Sequence, residues 1–176
     1  DIGEALTFHA FEIESIEGEV LDVKVTPNRG HDCLSYRGIA REVSAILNLP
    51  MVADPHAVLS VDQQFSLAIP LTVSILEPSL CARYIAWSIK GVQVKPSPQW
   101  LVDRLAAMGQ QSINNIVDVT NFVMLETGQP LHAFDAGRLG NLDIGVRLAR
   151  VGEVLEALDK KVYELTPSML VITAAD

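Results

Sequence analysis

The stretch IVDVTNFVMLETGQPLHAFD, at residues 116–135, decides how the second half of this chain folds. Apolar residues recur at helical spacing over residues 116–127, which is the pattern of an amphipathic helix. Gly128 suits the left-handed conformation that ends many helices, and Pro130 lacks the N–H that a continuing helix needs. The segment therefore predicts a helix over residues 116–127, followed by a loop that folds back along its side.

A second helix is predicted just upstream, over residues 97–109. Ser97 is a common type of helix N-cap, and the proline that follows it has the backbone angle of a first helical residue. Three apolar residues of this segment share one face: Leu101, Leu105 and Met108. Gly109 is placed to end the helix, and Leu105 is predicted to lie in the core.

Apolar residues that alternate with a period of two surround this pair of helices and indicate strands. Three strands are predicted in one mixed sheet: 67–75, 83–90 and 144–150. Residues 154–158 and 162–165 predict a hairpin, and residues 170–172 begin a further strand that lacks a partner. The predicted fold class is therefore α+β, with a mixed sheet and two packed helices.

The beginning of the chain predicts a smaller α/β segment. Residues 20–25 alternate as a half-buried strand, and residues 35–48 carry an apolar stripe at helical spacing, with Asp32 or Ser35 as the N-cap. Residues 51–66 show little periodicity. We therefore predict three parts: a small N-terminal segment at 1–50, a connector at 51–66 and the α+β part at 67–176.

The composition is that of a globular protein and argues against several classes. Of the 176 residues, 49% are hydrophobic and 20% are charged, and no apolar run reaches the ~18 residues of a membrane span. The net charge of −9, without a run of basic residues, argues against nucleic-acid binding through bulk charge. Cys33 and Cys81 form no metal-ligand spacing and fit a cytoplasmic setting. The first residue is Asp1 rather than Met, so we expect a fragment of a longer protein.

His132 is the most informative single candidate for function, because it lies in a non-repetitive segment just after a helix. Its simpler interpretation is a structural histidine bonded to Asp135 or to nearby backbone. Thr120 and Asn121 are polar residues in an otherwise apolar helix. Their simpler interpretation is a hydrogen bond to the preceding turn for Thr120 and solvent exposure for Asn121. The functional interpretation places both in a pocket with His132.

Two segments resemble signatures of the bacterial phenylalanine–tRNA ligase beta subunit. They are VTPNRGHDCLSYRGIAREV at residues 25–43 and IVDVTNFVMLETGQPLHAFD at residues 116–135. The second is long and ungapped, the order and spacing of both match, and the resemblance runs over nearly the whole chain. It implies that residues 1–50 end the small N-terminal domain of that subunit, and that residues from 67 onward begin its tRNA-editing domain.

The resemblance also implies a function. Enzymes of this family are α2β2 tetramers that join phenylalanine to its tRNA with ATP and magnesium, and the synthetic site lies on the alpha subunit. The beta subunit hydrolyses tyrosine wrongly attached to that tRNA, because an apolar pocket poorly rejects an isostere that only adds a hydroxyl. The resemblance thus implies an alpha-subunit partner and weak tRNA binding by this chain alone. It implies no cofactor or metal on this chain.

Carried over by motif, Thr120, Asn121 and His132 correspond to residues that line the editing site. The glutamate with which the family accepts the tyrosine hydroxyl, and a loop rich in Gly and Ala, both fall beyond Asp176. We therefore expect little hydrolysis by residues 1–176 alone. Two alternatives remain open: a scaffold and interface module without hydrolysis, or a free-standing editing relative. The Asp1 start and the unpartnered last strand count against the free-standing relative.

Overall fold

The computed structural model describes four ranges of the chain: 1–52, 71–140, 142–157 and 160–174. The predicted connector at 51–66 therefore lies almost wholly outside the described residues, as do residues 67–70 of the first predicted strand. The chain divides into two compact units, namely Asp1–Val61 with Gln93–Ala133, and Asp62–Val92 with Phe134–Asp176. In the four described ranges, no helix has both the length and the apolar character that crossing a membrane requires.

The first unit begins with helices and a β-hairpin. Its elements, in chain order, are α1 (Ile2–His9), β1 (Glu12–Glu17), β2 (Val20–Lys24), a 3-10 turn (Pro27–Arg29), α2 (Gly30–Cys33) and α3 (Tyr36–Leu47). β1 and β2 pair antiparallel. The core of this part centres on three side chains that are at most 3% exposed: Leu6, Phe11 and Cys33. Partly buried apolar residues of the hairpin and α3 pack around them.

Two predicted elements of this part are confirmed. The strand predicted at 20–25 is β2, and the helix predicted at 35–48 is α3. Ser35 is the N-cap of α3, since its Oγ accepts the Gly38 N–H at 3.0 Å. Asp32 instead lies in α2, where its carboxylate binds the Arg29 guanidinium at 2.8 Å.

The two helices predicted downstream are confirmed as α4 (Gln99–Ala107) and α5 (Asn115–Thr127). They pack against each other, with the Trp100 and Phe122 rings edge to face and 5.6 Å between their centroids. α5 also packs against α3. α4 begins later than predicted because Ser97 does not cap it; Pro98 is the N-cap residue, and the Ser97 hydroxyl donates to Asp118 instead.

Leu105→Ala is expected to lower the free energy of unfolding by about 2–5 kcal/mol, because Leu105 is 0% exposed and its truncation leaves a cavity. Urea unfolding followed by circular dichroism measures the change. The matched control is Leu49→Ala, which removes the same atoms from a side chain that is 55% exposed and should cost about 0.5 kcal/mol or less. Equal losses for the two variants would contradict the core position of Leu105.

The second unit is built on a mixed sheet and a hairpin. Its strands, in chain order, are β3 (Thr72–Ile75), β4 (Asp143–Leu148), β5 (Val154–Glu156), β6 (Val162–Glu164) and β7 (Leu170–Ala174). β4 lies in the centre of a three-stranded sheet, parallel to β3 and antiparallel to β7. β5 and β6 form the predicted hairpin. Mixed sheets and helices together confirm the α+β class.

Two strand predictions were wrong. In the described part of the chain, residues 83–90 form no strand, and the alternating side chains of Ile85, Trp87 and Ile89 are 58%, 64% and 75% exposed. Alternation defines one apolar face, whereas a strand also needs a backbone partner that the local sequence does not specify. The last strand, predicted to lack a partner, has one: β7 pairs with β4, with Val146 opposite Ile172.

Candidate functional site

Two asparagines fix the beginning of α5. The Asn114 side chain is the N-cap, and its Oδ1 accepts the backbone N–H groups of Ile116 at 3.0 Å and Val117 at 3.1 Å. Asn115 holds the upstream chain with its side chain. Its Oδ1 accepts the Lys95 N–H at 2.9 Å, and its Nδ2 donates to the Gln93 carbonyl at 3.0 Å. The helix predicted from residue 116 thus begins one residue earlier, and neither asparagine role was predicted, although asparagine is a favoured N-cap.

Asp118 is a fully buried carboxylate in the first turns of α5, with 0% of its surface exposed. Its oxygens accept hydrogen bonds from the Ser97 hydroxyl at 2.5 Å, the Ser112 hydroxyl at 2.6 Å and the Ile113 N–H at 2.8 Å. Burial alone raises the pKa of this carboxyl, but the hydrogen bonds outweigh burial and hold the pKa below its usual value. Asp118 is therefore an ionised, fully hydrogen-bonded group. No role for Asp118 was predicted from the sequence.

Thr120 and Asn121 lie in the middle of α5, and both are half-buried. The Thr120 hydroxyl donates to the Val117 carbonyl at 2.7 Å, which confirms the predicted hydrogen bond to the preceding turn. Asn121 is half-buried rather than fully exposed, so its simpler interpretation holds only in part. Because the Thr120 proton is engaged with backbone, the outward side of this hydroxyl is a hydrogen-bond acceptor.

His132 lies beyond the end of α5. Gly128 ends the helix in the left-handed conformation, with a φ of 80°, and its N–H donates to the Met124 carbonyl at 2.8 Å. This confirms the predicted stop. His132 follows in an irregular segment, where its side chain is exposed and takes part in an interaction of its own. The joint pocket of Thr120, Asn121 and His132 stays a prediction.

Helix geometry relates Gly128 to both site residues on α5. At 3.6 residues per turn, Gly128 is rotated about 80° from Thr120 and about 20° from Asn121, so it lies on the same side of the helix axis. The rise from Asn121 to Gly128 is about 10 Å. Four residues from Gly128 to His132 reach at most about 13 Å. The chain therefore leaves α5 on the side that bears Thr120 and Asn121, with enough length to return to them.

A second polar cluster, around Arg29, has a structural role. The guanidinium binds the carboxylates of Asp32 and Glu42, each at 2.8 Å, and lies 5.5 Å from the centroid of the Phe11 ring. Hydrogen bonds from Arg29 hold the pKa of the Asp32 carboxyl below its ordinary value. Arg29 thereby ties α2 and α3 to the core.

In the described ranges, no three His, Cys, Asp or Glu side chains come close enough together to hold a metal ion. Cys33 is buried and Cys81 half-buried, and neither forms a disulfide. Burial raises the pKa of the Cys33 thiol, so this residue behaves as a small apolar group rather than as a nucleophile.

Comparison with known proteins identifies the class. A family model described as the B3/4 domain matches residues 80–176, which is more than half of the chain. The chain therefore belongs to the B3/4 domain family. The matched range includes α4, α5, the segment with His132 and the whole of the described mixed sheet except β3.

Over nearly its whole length, the chain is similar to proteins named phenylalanine–tRNA ligase beta subunit. That of Carboxydothermus hydrogenoformans is 46% identical over 162 residues, which cover 92% of this chain and 20% of that protein. That of Moorella thermoacetica is 47% identical over 166 residues, which cover 94% of this chain and 20% of that protein. That of Thermotoga maritima is 44% identical over 168 residues, which cover 96% of this chain and 21% of that protein.

These matches confirm the resemblance stated from the two sequence segments. The chain spans about a fifth of the length of the relatives it matches. The relatives are, by their names, subunits of a tRNA ligase, so the similarity connects this chain to aminoacyl-tRNA synthetases.

Proposed function

We propose that this chain is part of the beta subunit of a phenylalanine–tRNA ligase and contributes to hydrolysis of tyrosine wrongly attached to the tRNA. The observation that carries the proposal is the arrangement at the end of α5. The helix stops at Gly128 on the side that bears Thr120 and Asn121, and His132 follows four residues later. Similarity to ligase beta subunits over 92% of the chain supports it.

The chemistry of the three side chains suits ester hydrolysis without a covalent nucleophile. Water attacks the carbonyl carbon of the tyrosyl ester and its proton passes to a nitrogen of His132. The bond between the carbonyl carbon and the ribose oxygen then breaks, and His132 returns the proton to that oxygen, which leaves as a hydroxyl. The Thr120 oxygen accepts a hydrogen bond from the attacking water, because its own proton is donated to Val117. The Asn121 amide supplies both a donor and an acceptor for the terminal ribose.

The remaining parts of the enzyme belong to other segments and subunits in this proposal. The glutamate that accepts the tyrosine hydroxyl and the Gly- and Ala-rich loop lie outside residues 1–176. The alpha subunit assembles with the beta subunit and provides the synthetic site with its ATP and magnesium. Such an enzyme works in the cytoplasm, where its tRNA substrate is charged.

Thr120→Val tests the proposed function in the complete two-subunit enzyme. We expect hydrolysis of tyrosyl-tRNA to slow about fivefold, because one hydrogen bond of about 1 kcal/mol to the reacting water is lost. Release of radiolabelled tyrosine from preformed tyrosyl-tRNA measures the rate. The matched control is Thr7→Val, which removes a hydroxyl that donates to the Gly3 carbonyl at 2.8 Å in α1.

The same assay separates the alternatives. Hydrolysis at the wild-type rate in Thr120→Val would contradict the proposal. A complete enzyme with no tyrosyl-tRNA hydrolysis would indicate a scaffold and interface module. Rapid hydrolysis by residues 1–176 without an alpha subunit would indicate a free-standing editing protein.

Binding of phenylalanine tRNA by residues 1–176 alone is expected to be weak. The net charge is −9, and phosphate contacts need clustered cations. Filter binding at about 50 mM and 200 mM salt measures the affinity, where ~6 or more phosphate contacts would show as a loss of ~10³-fold or more. Tight binding with that salt dependence would contradict the expectation and would mean that folding gathers scattered arginines on one face.

A further inference from the structure

The buried Asp118 carboxylate joins three stretches of chain ahead of the proposed site. Ser97 precedes α4, Ser112 and Ile113 belong to the segment between α4 and α5, and Asp118 itself lies in α5. All three partners donate to the carboxylate within 2.8 Å. Burial of a charge costs desolvation free energy, which these three hydrogen bonds offset, and together they fix the carboxylate relative to the three stretches of chain.

A short series of hydrogen bonds leads from the backbone of Asp118 to Thr120. The Asp118 N–H donates to the Asn114 carbonyl at 2.9 Å, and the Asn114 side chain caps the Val117 N–H at 3.1 Å. The Val117 carbonyl then accepts the Thr120 hydroxyl at 2.7 Å. The rotamer of Thr120 is therefore set by the same helical turn that Asp118 holds.

We propose that Asp118 is a positioning residue for tRNA editing, which acts by fixing the first turn of α5 and with it the direction of the Thr120 hydroxyl. The inference rests on the proposed function. Asp118 is 0% exposed, so it acts through Thr120 rather than on the substrate directly. Its loss therefore cannot slow hydrolysis more than the loss of the Thr120 hydroxyl itself.

Asp118→Asn in the complete two-subunit enzyme is the first test. The asparagine amide has the shape of the carboxylate, but its NH₂ group is a donor and faces groups that also donate. The hydrogen bonds from Ser97, Ser112 and Ile113 therefore cannot all be kept. We expect kcat for tyrosyl-tRNA hydrolysis to fall about threefold to fivefold, no further than in Thr120→Val, with KM changed less than about twofold and phenylalanine charging kept. Ser112→Ala removes one donor, is milder for folding, and should lower kcat about twofold. The matched control is Asp103→Asn, an exposed carboxylate on α4, which should have no effect.

A double-mutant cycle distinguishes positioning from a general loss of stability. Once Thr120→Val has removed the hydroxyl, Asp118→Asn should cost less than about twofold more, because its effect passes through that group. If the kcat losses of Thr120→Val and Asp118→Asn multiply in the double variant, the inference is overturned. An unchanged kcat in both Asp118→Asn and Ser112→Ala would overturn it as well. Failure of the proposed function looks different, since then Thr120→Val itself edits at the wild-type rate.

Discussion

His132→Ala in the complete two-subunit enzyme is expected to slow hydrolysis of tyrosyl-tRNA by about 10²–10⁴-fold, the range typical of a lost acid–base group. A ring nitrogen of the imidazole can accept a proton from water, whereas the hydroxyl of Thr120 and the amide of Asn121 are much weaker bases and cannot replace it. Phenylalanine charging should remain nearly intact, because the synthetic site is proposed to lie on the alpha subunit. Hydrolysis of preformed tyrosyl-tRNA and charging with phenylalanine are measured on the same preparation.

The matched control for this variant is His9→Ala. His9 is an exposed histidine in the last turn of α1, far along the sequence from the site residues. Its loss should leave both activities unchanged. Editing at the wild-type rate in His132→Ala would refute the assignment of His132, and equal losses in both histidine variants would indicate a general effect on folding.

Gly38→Ala is expected to lower the free energy of unfolding by about 3 kcal/mol or more, which is at or above the upper end of typical overpacking costs. A Cβ at this position would lie 2.7 Å from the Cys33 Cα and closer still to the Asp32 carbonyl oxygen. Both obstacles are backbone, so no side-chain rotation relieves the clash. α2 and α3 would have to separate, which opens the core around Cys33.

Gly30→Ala is the matched control for the Gly38 variant. Gly30 has a φ of −59°, in the right-handed helical region, and nothing lies within 4 Å of the position its Cβ would take. Alanine there should be neutral or should stabilise by about 0.4–1 kcal/mol, since it restricts the unfolded chain. Thermal unfolding of the two variants gives the comparison. Similar midpoints would show that α2 and α3 are not in close contact at Gly38.

Local sequence was sufficient for elements whose cause lies within one or two turns of chain. The α3 helix follows from its apolar stripe and the Ser35 cap, and the end of α5 follows from Gly128. The β5–β6 hairpin follows from two short alternating runs around a turn. Each of these depends on residues that are neighbours in sequence, so periodicity and capping chemistry predict them.

The candidate site was predictable in composition but not in its supporting contacts. Thr120, Asn121 and His132 stand out as polar residues in an apolar helix and its following loop. The partners of Asp118 come from as far as 21 residues upstream, so no local pattern reveals that its carboxylate is buried and satisfied. Aspartate is common in the first turn of helices, where it interacts favourably with the helix dipole, so the sequence alone suggests a surface residue.

The sequence by itself determined α3, α4 and α5, the Ser35 cap, the end of α5 at Gly128, the β5–β6 hairpin and the family resemblance, because periodicity, turn chemistry and motif are properties of short segments. Tertiary structure alone decided which strands pair in the mixed sheet. Residues 83–90 alternate well and form no strand among the described residues, whereas β7 pairs with β4 more than twenty residues away. Strand pairing and burial of a charge both depend on groups brought from distant parts of the chain, and the free energy of those contacts exists only once the chain has folded.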